Sequence, residues 1–510
     1  MTAVVEQTAD WRRLSPRMLA VHPVQEVPRA FPLLLGLFVV GRHGGSGDLW
    51  RLAGVAVVVG LAMVRWFTTT YRVTPEQVQV RRGLLRRTVL SVPRDRVRTV
   101  DVTSHLLHRV LGLARVTVGT GQCDRKRGGE VRLDGLSTAE AARLRVELLD
   151  RSPVPVVPAG PASAAAPGAG TAAPTETELA ALRPRWVRYA PFSLSGLVSV
   201  GVVVGFVQRA ASEAHVDVFR FGPLRSAGED LSRAPLALAV AEVVLAVLVV
   251  AAVAGTVGYV LAFWRFRLTR QAGGTLHVTR GLVTTRSTTI EERRLRGVEV
   301  SEPLLLRAVR GARCIAIATG LRVGRGAERG GSLLLPPAPR VEAETVAAAV
   351  LRTDVPLTVP LTPHGRRARW RRYTRALTGA VLFVAAVAVG ARLFGWPQRL
   401  WLAALVALPV AVVLAEDRYR NLGHAVTRGF LVSRLGSVVR RRYALSTDGI
   451  VGWTFRRSLF QRRAGLVTLE ATTAAGRQRY EVPDVAFGHA LAVADEAVPG
   501  LLTPFLTRRR

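Results

Sequence analysis

Long apolar segments arranged in three pairs constrain the fold of this 510-residue chain more than any other feature. Helices of soluble proteins are rarely apolar on every face, and about 20 apolar residues, with a range of about 17–25, span a bilayer. A hydrophobic fraction of 49% agrees with several such spans. We therefore predict six transmembrane helices, joined as three hairpins, rather than buried core helices. The apolar runs are 27–41, 50–67, 190–207, 234–264, 376–396 and 400–415.

Arginine sets the charge of the chain and predicts its orientation. The net charge is +35, and all but one of the 71 basic residues are arginine, the exception being Lys126. The connectors inside each pair of runs have little net charge, whereas arginines such as Arg65, Arg265 and Arg418 flank the opposite ends. By the positive-inside rule, both termini and all large segments are expected in the cytoplasm. No signal-peptide pattern precedes the first run, so we expect no cleaved leader.

A repeated sequence follows each pair of apolar runs. Each copy opens on an aromatic residue followed by arginine and then alternates apolar and polar residues, which is the period of a β-strand. Each copy ends in a predicted helix, at 137–150, about 340–352 and about 484–497, the first with the capping box Ser137-x-x-Glu140. About seven short strands fit each copy and predict a half-open β-barrel or sandwich capped by that helix. The repeated motifs are Tyr71–Thr74 with Val78–Leu85, Phe266–Thr269 with Leu276–Val283, and Tyr419–Arg420 with Ala425–Leu431.

Two glycines recur at similar places in the three copies. The first follows an arginine and predicts equivalent hairpin turns at Gly83, Gly281 and Gly429. The second precedes another alternating strand and stands at Gly112, Gly311 and Gly465.

The repeated residues resemble a known family. The pattern Tyr-x-Val-Thr-x(3)-Val-x-Val-x-x-Gly-Leu-Leu directly after a membrane hairpin, at Tyr71–Leu85, is similar to the bacterial pleckstrin-homology (PH) domain of the YdbS/YdbT type, and three copies resemble the longer, YdbT type. The resemblance implies an α+β membrane protein of the bacterial cytoplasmic membrane. In it, each hairpin is followed by a PH-like barrel or sandwich with a C-terminal helix. It also implies a membrane protein partner of the YdbS type or self-association, and a role in envelope stress or antimicrobial resistance.

The third copy departs most from the pattern of the other two. The threonine shared by Thr74 and Thr269 is lost near Leu422, and Gly449 stands where the other copies have Arg96 and Arg294. We therefore expect its ligand surface to differ from theirs.

The domain boundaries follow from the apolar runs and the repeats. Between the first and second copies, 152–183 is rich in proline, alanine and glycine without periodicity, which predicts a disordered or semi-extended linker. The predicted organisation is a cytoplasmic segment at 1–26, hairpins at 27–67, 190–264 and 376–415, and PH-like domains at 68–151, 265–353 and 416–500.

Arginines beside the predicted turns are candidate ligand-binding residues. A turn held beside a bilayer places guanidinium groups near anionic headgroups, a contribution of about 1 kcal/mol each, and arginine pairs bidentately with phosphate. The alternative is a solvated positive surface produced by an arginine-rich composition, and the sequence leaves both open. The candidates are Arg81, Arg82, Arg86, Arg87, Arg280, Arg286, Arg428, Arg434, Arg440, Arg441 and Arg442.

The three copies are predicted to act as docking or scaffold modules for a membrane protein partner, for anionic headgroups or for each other. Two alternatives stay open. A transporter or channel would use the hairpins and Glu242, the only acidic residue inside a predicted span, because intramembrane ionisable groups are costly and usually functional. A purely structural assembly scaffold would bind protein and ignore lipid.

Catalytic, cofactor and metal motifs are absent from the sequence. There is no GxSxG, HExxH or GxGxxG before a helix, and Lys126 lies outside any Walker A motif, so we expect neither an enzyme nor a cofactor. His105 and His108 are too few for a zinc site and are expected in a helical turn on the barrel. Cys314 is expected in the core and Cys123 in an exposed loop. The arginines lack interleaved aromatic residues, which argues against nucleic-acid binding.

Overall fold

The structure is a computed structural model, and the chain divides into two compact units. The first comprises Met1–Glu178, Arg265–Glu292 and Gly320–Arg322, and the second comprises Leu179–Trp264, Arg293–Thr319 and Val323–Arg510. The structure describes residues 11–18, 60, 67–74, 76–83, 88–94, 97, 99–119, 130–149, 176–192, 205, 235–321, 331–395, 397 and 399–505.

The first unit is built from two sheets. One has the strand order β1-β2-β3-β4 and the other β7-β6-β5-β11-β10-β9-β8. The strand β8, which lies at the edge of the second sheet, forms from the end of the predicted linker. In chain order the elements are β1 (Arg12–Arg13), β2 (Thr70–Val73), β3 (Gln77–Arg82), β4 (Thr88–Pro93), β5 (Thr99–Ser104), α1 (Leu106–Val110), β6 (Leu113–Gly119), β7 (Glu130–Ser137), α2 (Thr138–Leu149), β8 (Thr177–Ala181), β9 (Arg267–Gln271), β10 (Thr275–Arg280) and β11 (Thr285–Glu291).

The second unit contains a six-stranded sheet of order β14-β13-β12-β17-β16-β15 and a three-stranded sheet of order β18-β19-β20. A 3-10 helix at Pro184–Phe192 precedes its other elements. These are α3 (Leu236–Phe263), β12 (Leu295–Pro303), α4 (Leu304–Ala308), β13 (Gly311–Ala318), β14 (Leu333–Pro339), α5 (Arg340–Leu351), α6 (Val355–Thr358), α7 (Gly365–Leu393), α8 (Arg399–Ala404), α9 (Ala407–Arg420), β15 (Gly423–Thr427), β16 (Phe430–Leu435), β17 (Val439–Ser446), β18 (Ile450–Arg456), α10 (Leu459–Ala464), β19 (Leu466–Thr473), β20 (Arg479–Ala486) and α11 (Phe487–Ala497).

Each repeated copy has six described strands, two groups of three, and a C-terminal helix, where the sequence predicted about seven strands. In the first copy the two groups share one core, which includes Val80, Val116 and Leu133 together with Leu144 of α2. The Ser137 hydroxyl accepts the Glu140 amide at 3.1 Å, as the capping box predicts. The three terminal helices, α2, α5 and α11, lie within the predicted ranges.

The first and second copies do not close on themselves. The last three strands of each form one sheet with the first three strands of the next copy. In the first unit β5, the fourth strand of copy one, pairs antiparallel with β11, the third strand of copy two, and Asp101 lies opposite Thr288. Arg286 donates to Asp101 through Nε at 3.1 Å and through its terminal nitrogen, and the Thr288 hydroxyl donates at 3.1 Å. We call this strand pair the first joint.

A second joint with the same register lies in the second unit. There β12, the fourth strand of copy two, pairs antiparallel with β17, the third strand of copy three, and Glu299 lies opposite Tyr443. Glu299 is 3% exposed and forms ion pairs with Arg477 at 2.9 Å and Arg441 at 3.5 Å. The sequence predicted a half-open barrel or sandwich in each copy, and in the described residues its sheets run from one copy into the next.

Three helices of the second unit are long and apolar enough to cross a membrane: Val244–Phe263 within α3, Gly365–Leu393 (α7) and Arg399–Arg420, which includes α8 and α9. They correspond to the predicted spans 234–264, 376–396 and 400–415. Of the six predicted spans, three have a helix of sufficient length and apolar character in the described part of the chain. The remaining runs, 27–41, 50–67 and 190–207, lie almost entirely outside it.

The third copy corrects the predicted alignment of its turn glycine. Gly429 lies between β15 and β16, whereas Gly281 lies one hairpin later, between β10 and β11. The structural equivalent is Gly436, between β16 and β17. Gly436 and Gly281 have φ of 98° and 106°, and a Cβ on either would lie 2.0 Å from a backbone oxygen. The first hairpin loop differs in length between copies, so the spacing of residues did not identify the equivalent glycine.

A pair of histidines, the half-buried His364 and the buried His424, links the start of α7 to the third copy. The Nδ1 of His364 donates to the Pro483 carbonyl at 2.7 Å, and the Nδ1 of His424 donates to Nε2 of His364 at 3.0 Å. Burial lowers the pKa of each histidine to about 4. Both rings are therefore neutral at pH 7, and a second proton on His364 would break the bond to His424.

We predict that Glu299→Gln destabilises the second unit by about 2–3 kcal/mol, because the change removes the buried carboxylate that pairs with Arg477 and Arg441. The midpoint of thermal unfolding of the detergent-solubilised protein should fall by about 5–10 °C. Glu344→Gln is the matched control, since Glu344 forms only an i,i+4 pair with Arg340 at the surface. Its effect should stay below about 0.5 kcal/mol. Equal shifts for the two variants would contradict a structural role for the second joint.

The histidine pair predicts that stability falls as the pH is lowered from 6.5 to about 4. In this window the unfolded chain binds protons at His364 and His424 while the folded chain does not, so each contributes a slope of up to about 1.4 kcal/mol per pH unit. Above pH 6.5 neither contributes. Unfolding midpoints measured between pH 4.5 and 7.5 should show this fall, and His424→Gln should make it shallower. An unchanged slope in that variant would assign the fall to other groups.

Candidate functional site

A cleft of about 810 Å³ lies where α7 and the end of α9 meet the third copy. Half of its polar lining residues are arginine, and Glu481 is the one acidic side chain among its described lining residues. We call it the arginine cleft. Its arginines are Arg371, Arg372, Arg375, Arg418, Arg456 and Arg457.

Asp484 holds the base of the arginine cleft together. It is fully buried in β20 with a φ of 62°, a left-handed conformation that asparagine and aspartate tolerate better than most residues. Its carboxylate accepts from Arg371 and lies 2.6 Å from a terminal nitrogen of Arg372. The amide of Gln461 donates to the same carboxylate at 2.8 Å. One buried charge therefore anchors α7 and α10 to the third copy.

The short helix α10 forms one wall of the cleft, and its position is fixed locally. Ser458 and Gln461 form a reciprocal capping box, in which the serine hydroxyl accepts at 3.2 Å and the glutamine oxygen accepts at 2.9 Å. Just before it, Arg457 stacks 3.9 Å from the centre of the Phe487 ring, and Arg456 pairs with the buried Glu470 at 3.0 Å. The backbone that presents these two arginines is thus well defined.

Two arginines give the cleft an excess of positive charge. Arg375 on α7 and Arg418 on α9 are exposed and form no ion pair with the carboxylates of the described residues. The Nε of the buried Arg372 also lacks a hydrogen-bond partner in this part of the chain. Guanidinium groups bind phosphate oxygens through charge-assisted, often bidentate hydrogen bonds. Chemically, the cleft is suited to a phosphate or another oxyanion.

The arginines predicted as binding residues in the first unit lie in the strand framework. Arg81 is half-buried, Arg82 ends β3, and Arg280, which ends β10, is buried. Arg286 belongs to the first joint, where it binds Asp101. Arg86 and Arg87 lie outside the described residues.

In the third copy most of the predicted arginines have partners within the protein. Arg440 pairs with Glu302 and Arg441 with Glu299, while Arg442 donates to two carbonyls of the α6 region. Arg434 donates to the Arg420 carbonyl at 3.1 Å, whereas Arg428 is exposed in the β15–β16 turn. Burial lowers the pKa of Arg434, Arg441 and Arg442. Headgroup binding by this predicted set stays a prediction.

The other residues singled out from the sequence lie apart from the cleft. Glu242 is exposed on α3, two residues before the span that begins at Val244, and a transport role for it stays a prediction. His105 precedes the helical turn α1, and His108 is buried within it, as predicted. Cys314 is buried in β13, as predicted, and burial raises the pKa of its thiol to about 12. Cys123 lies outside the described residues.

The residues of the arginine cleft were not among the predicted binding residues. Among them only Arg418 was named, as evidence for the orientation of the chain, because arginines near a span end are expected from charge bias alone. The Ser-x-x-Gln box at Ser458 was a usable signal for α10. Nothing in the local sequence around Asp484 indicates that it accepts two arginines from a distant helix.

Comparison with known proteins bears on both ends of the chain. The family described as Bacterial PH domain matches residues 29–152 and 367–497, which together make up half of the chain. Each match contains a pair of apolar runs and the copy that follows it, and the second includes α7, α9 and the arginine cleft. No curated protein and no solved structure matches the chain significantly. The chain therefore belongs to the bacterial PH domain family.

Proposed function

We propose that this protein is a membrane-bound interaction module whose arginine cleft binds the headgroup of an anionic phospholipid. The observation that supports this most directly is a cleft of about 810 Å³ lined by six arginines, of which Arg375 and Arg418 form no ion pair with the carboxylates of the described residues. A phosphodiester group offers oxygens that guanidinium groups bind in pairs. The module would lie on the cytoplasmic side of a bacterial cell membrane.

The place of the cleft in the chain supports a lipid ligand. Its α7 lining residues, from Arg371 to Thr378, directly precede the apolar part of that helix, and Arg418 lies two residues from the end of α9. Both helices belong to segments that are apolar enough to cross a membrane. Residues at such helix ends lie at the level of lipid headgroups.

Exposed apolar side chains beside the cleft favour a lipid over a soluble phosphate compound. Leu459 and Phe460, the first residues of α10, are 68% and 74% exposed, and Phe460 lines the cleft. An aromatic or aliphatic side chain next to arginines is suited to the boundary between headgroups and acyl chains. A soluble anion would gain nothing from these two residues.

The fold of the copies agrees with an interaction module. In our proposal the first and third copies are each a PH-like sandwich of two three-stranded groups covered by the C-terminal helix, as their shared cores suggest. The proposed role is docking, of lipid and of a membrane protein partner.

We predict that Arg375→Ala combined with Arg418→Ala weakens binding of phosphatidylglycerol to the detergent-purified full chain by about 10- to 30-fold. This factor corresponds to about 1 kcal/mol for each arginine removed. Both side chains are exposed, so the variant should fold. Binding would be measured by native mass spectrometry during titration with phosphatidylglycerol, and phosphatidylcholine should bind weakly to both proteins.

Arg462→Ala combined with Arg463→Ala is the matched control. Both arginines are exposed on the same helix α10, and neither lines the cleft. The control removes the same charge, and its affinity should stay within about threefold of the original. An equal loss in the two double variants would show that net charge, not the cleft, determines binding, and the proposal would then be wrong.

A further inference from the structure

Two strand edges, one in the first copy and one in the third, correspond to the two sides of the joints. At each joint the fourth strand of one copy pairs with the third strand of the next, as β5 with β11 and β12 with β17. Two strands of the equivalent kind take part in neither joint: the third strand of the first copy, β4, and the fourth strand of the third copy, β18. In the described part of the chain, β4 and β18 are each the outermost strand of their sheet.

The registers within the copies identify which residues of these two edges are equivalent to joint residues. The pairing of β4 with β3 places Leu90 at the position of Thr288 and Tyr443. The pairing of β18 with β19 places Thr454 at the position of Asp101 and Glu299. Since Asp101 lies opposite Thr288 and Glu299 opposite Tyr443, a third joint of the same register would place Thr454 opposite Leu90.

The charges that are paired at both joints are missing from both edges. Arg286 and Arg441, which bind the acidic residue at each joint, correspond to Thr88 on β4. The acidic residue itself corresponds to Thr454 on β18. Had only one partner been replaced, pairing of the edges would bury an unpaired charge, at a cost of several kcal/mol. Because both are neutral, the two edges are complementary to each other.

Both edges are more exposed than the strands that form the joints. Three of the six residues of β4 are exposed, and so are three of the seven residues of β18, whereas no residue of β11, β12 or β17 is exposed. In the register of the joints, Phe455 would lie opposite Val89, which is 56% exposed. An exposed apolar edge strand is a template for pairing with another strand.

We propose that a second copy of this chain docks through these edges, with β18 of one molecule pairing antiparallel with β4 of the next. The contact would reproduce the joint that the chain already forms twice, which is why we commit to a second copy as the occupant. It joins different surfaces of the two molecules, so it is heterologous and leads to a ring or an open array. The proposal does not depend on ligand binding in the arginine cleft.

Disulfide trapping between two differently tagged chains tests the register. One chain has Leu90→Cys and the other Thr454→Cys, both in a Cys123→Ser background, and the buried Cys314 is retained. Residues directly opposite in an antiparallel pair have Cα atoms about 4.5–5.5 Å apart, within the range that a disulfide bridges. After mild oxidation of membranes from co-expressing cells, we expect a linked dimer with both tags.

The control moves one cysteine by a single position. Ser91→Cys in place of Leu90→Cys points to the other face of β4, so the yield of linked dimer should fall severalfold. Equal yields from the two pairs, or no linked dimer from either, would overturn the proposal. A chain with both Leu90→Cys and Thr454→Cys should also link between molecules, and an internal disulfide in monomeric protein would overturn it as well.

A charge-restoration experiment tests the complementarity of the edges independently of cysteine chemistry. Thr454→Asp alone should reduce the mass of the detergent-solubilised assembly measured by light scattering, because the acid would be buried without a partner. A chain with both Thr454→Asp and Thr88→Arg recreates the pair seen between Asp101 and Arg286 and should recover that mass. A monomeric original protein, or an assembly insensitive to Thr454→Asp, would contradict the docking of β18 on β4.

Discussion

Backbone pairing between consecutive copies is the interaction on which the arrangement of this chain depends. If each copy closed on itself, its edge strands would form their hydrogen bonds within the copy, and no sheet would contain strands of two copies. Here the fourth strand of one copy donates and accepts its hydrogen bonds with the third strand of the next. The acid–arginine pair at each joint fixes the register, because a shift of one strand by one residue would place the two charges on opposite faces of the sheet.

The arginine-rich composition is therefore used for two different purposes. At the joints, arginines such as Arg286 and Arg441 are counter-charges for acids that the sheet partly or fully buries. In the cleft, Asp484 neutralises part of the charge and leaves Arg375 and Arg418 available. Net charge alone does not separate these roles. The separation comes from whether a carboxylate lies within reach, and that depends on the tertiary structure.

Much of the architecture was predictable from local patterns. The apolar runs gave the positions of α3, α7 and the α8–α9 segment, and the copies gave their terminal helices and the buried Cys314. Alternation in a strand specifies which face is buried but not which strand lies alongside, so the joints could not be predicted. The turn of the third copy was assigned to Gly429 instead of Gly436 because the first hairpin loop differs in length between copies. The arginine cleft depends on contacts between residues more than 80 positions apart, such as Arg371 and Asp484.

The joints also impose an order of events on synthesis. Asp101 and Arg286 are 185 residues apart, and two of the predicted membrane runs lie between them. At about 5–20 residues per second, the ribosome needs roughly 10–40 s to make the partner of β5 after β5 itself. The same holds for β12, which is completed only after the third hairpin has been made. Each newly synthesised copy thus supplies the strands that complete the sheet of the copy before it. Membrane insertion and sheet formation are therefore coupled in time.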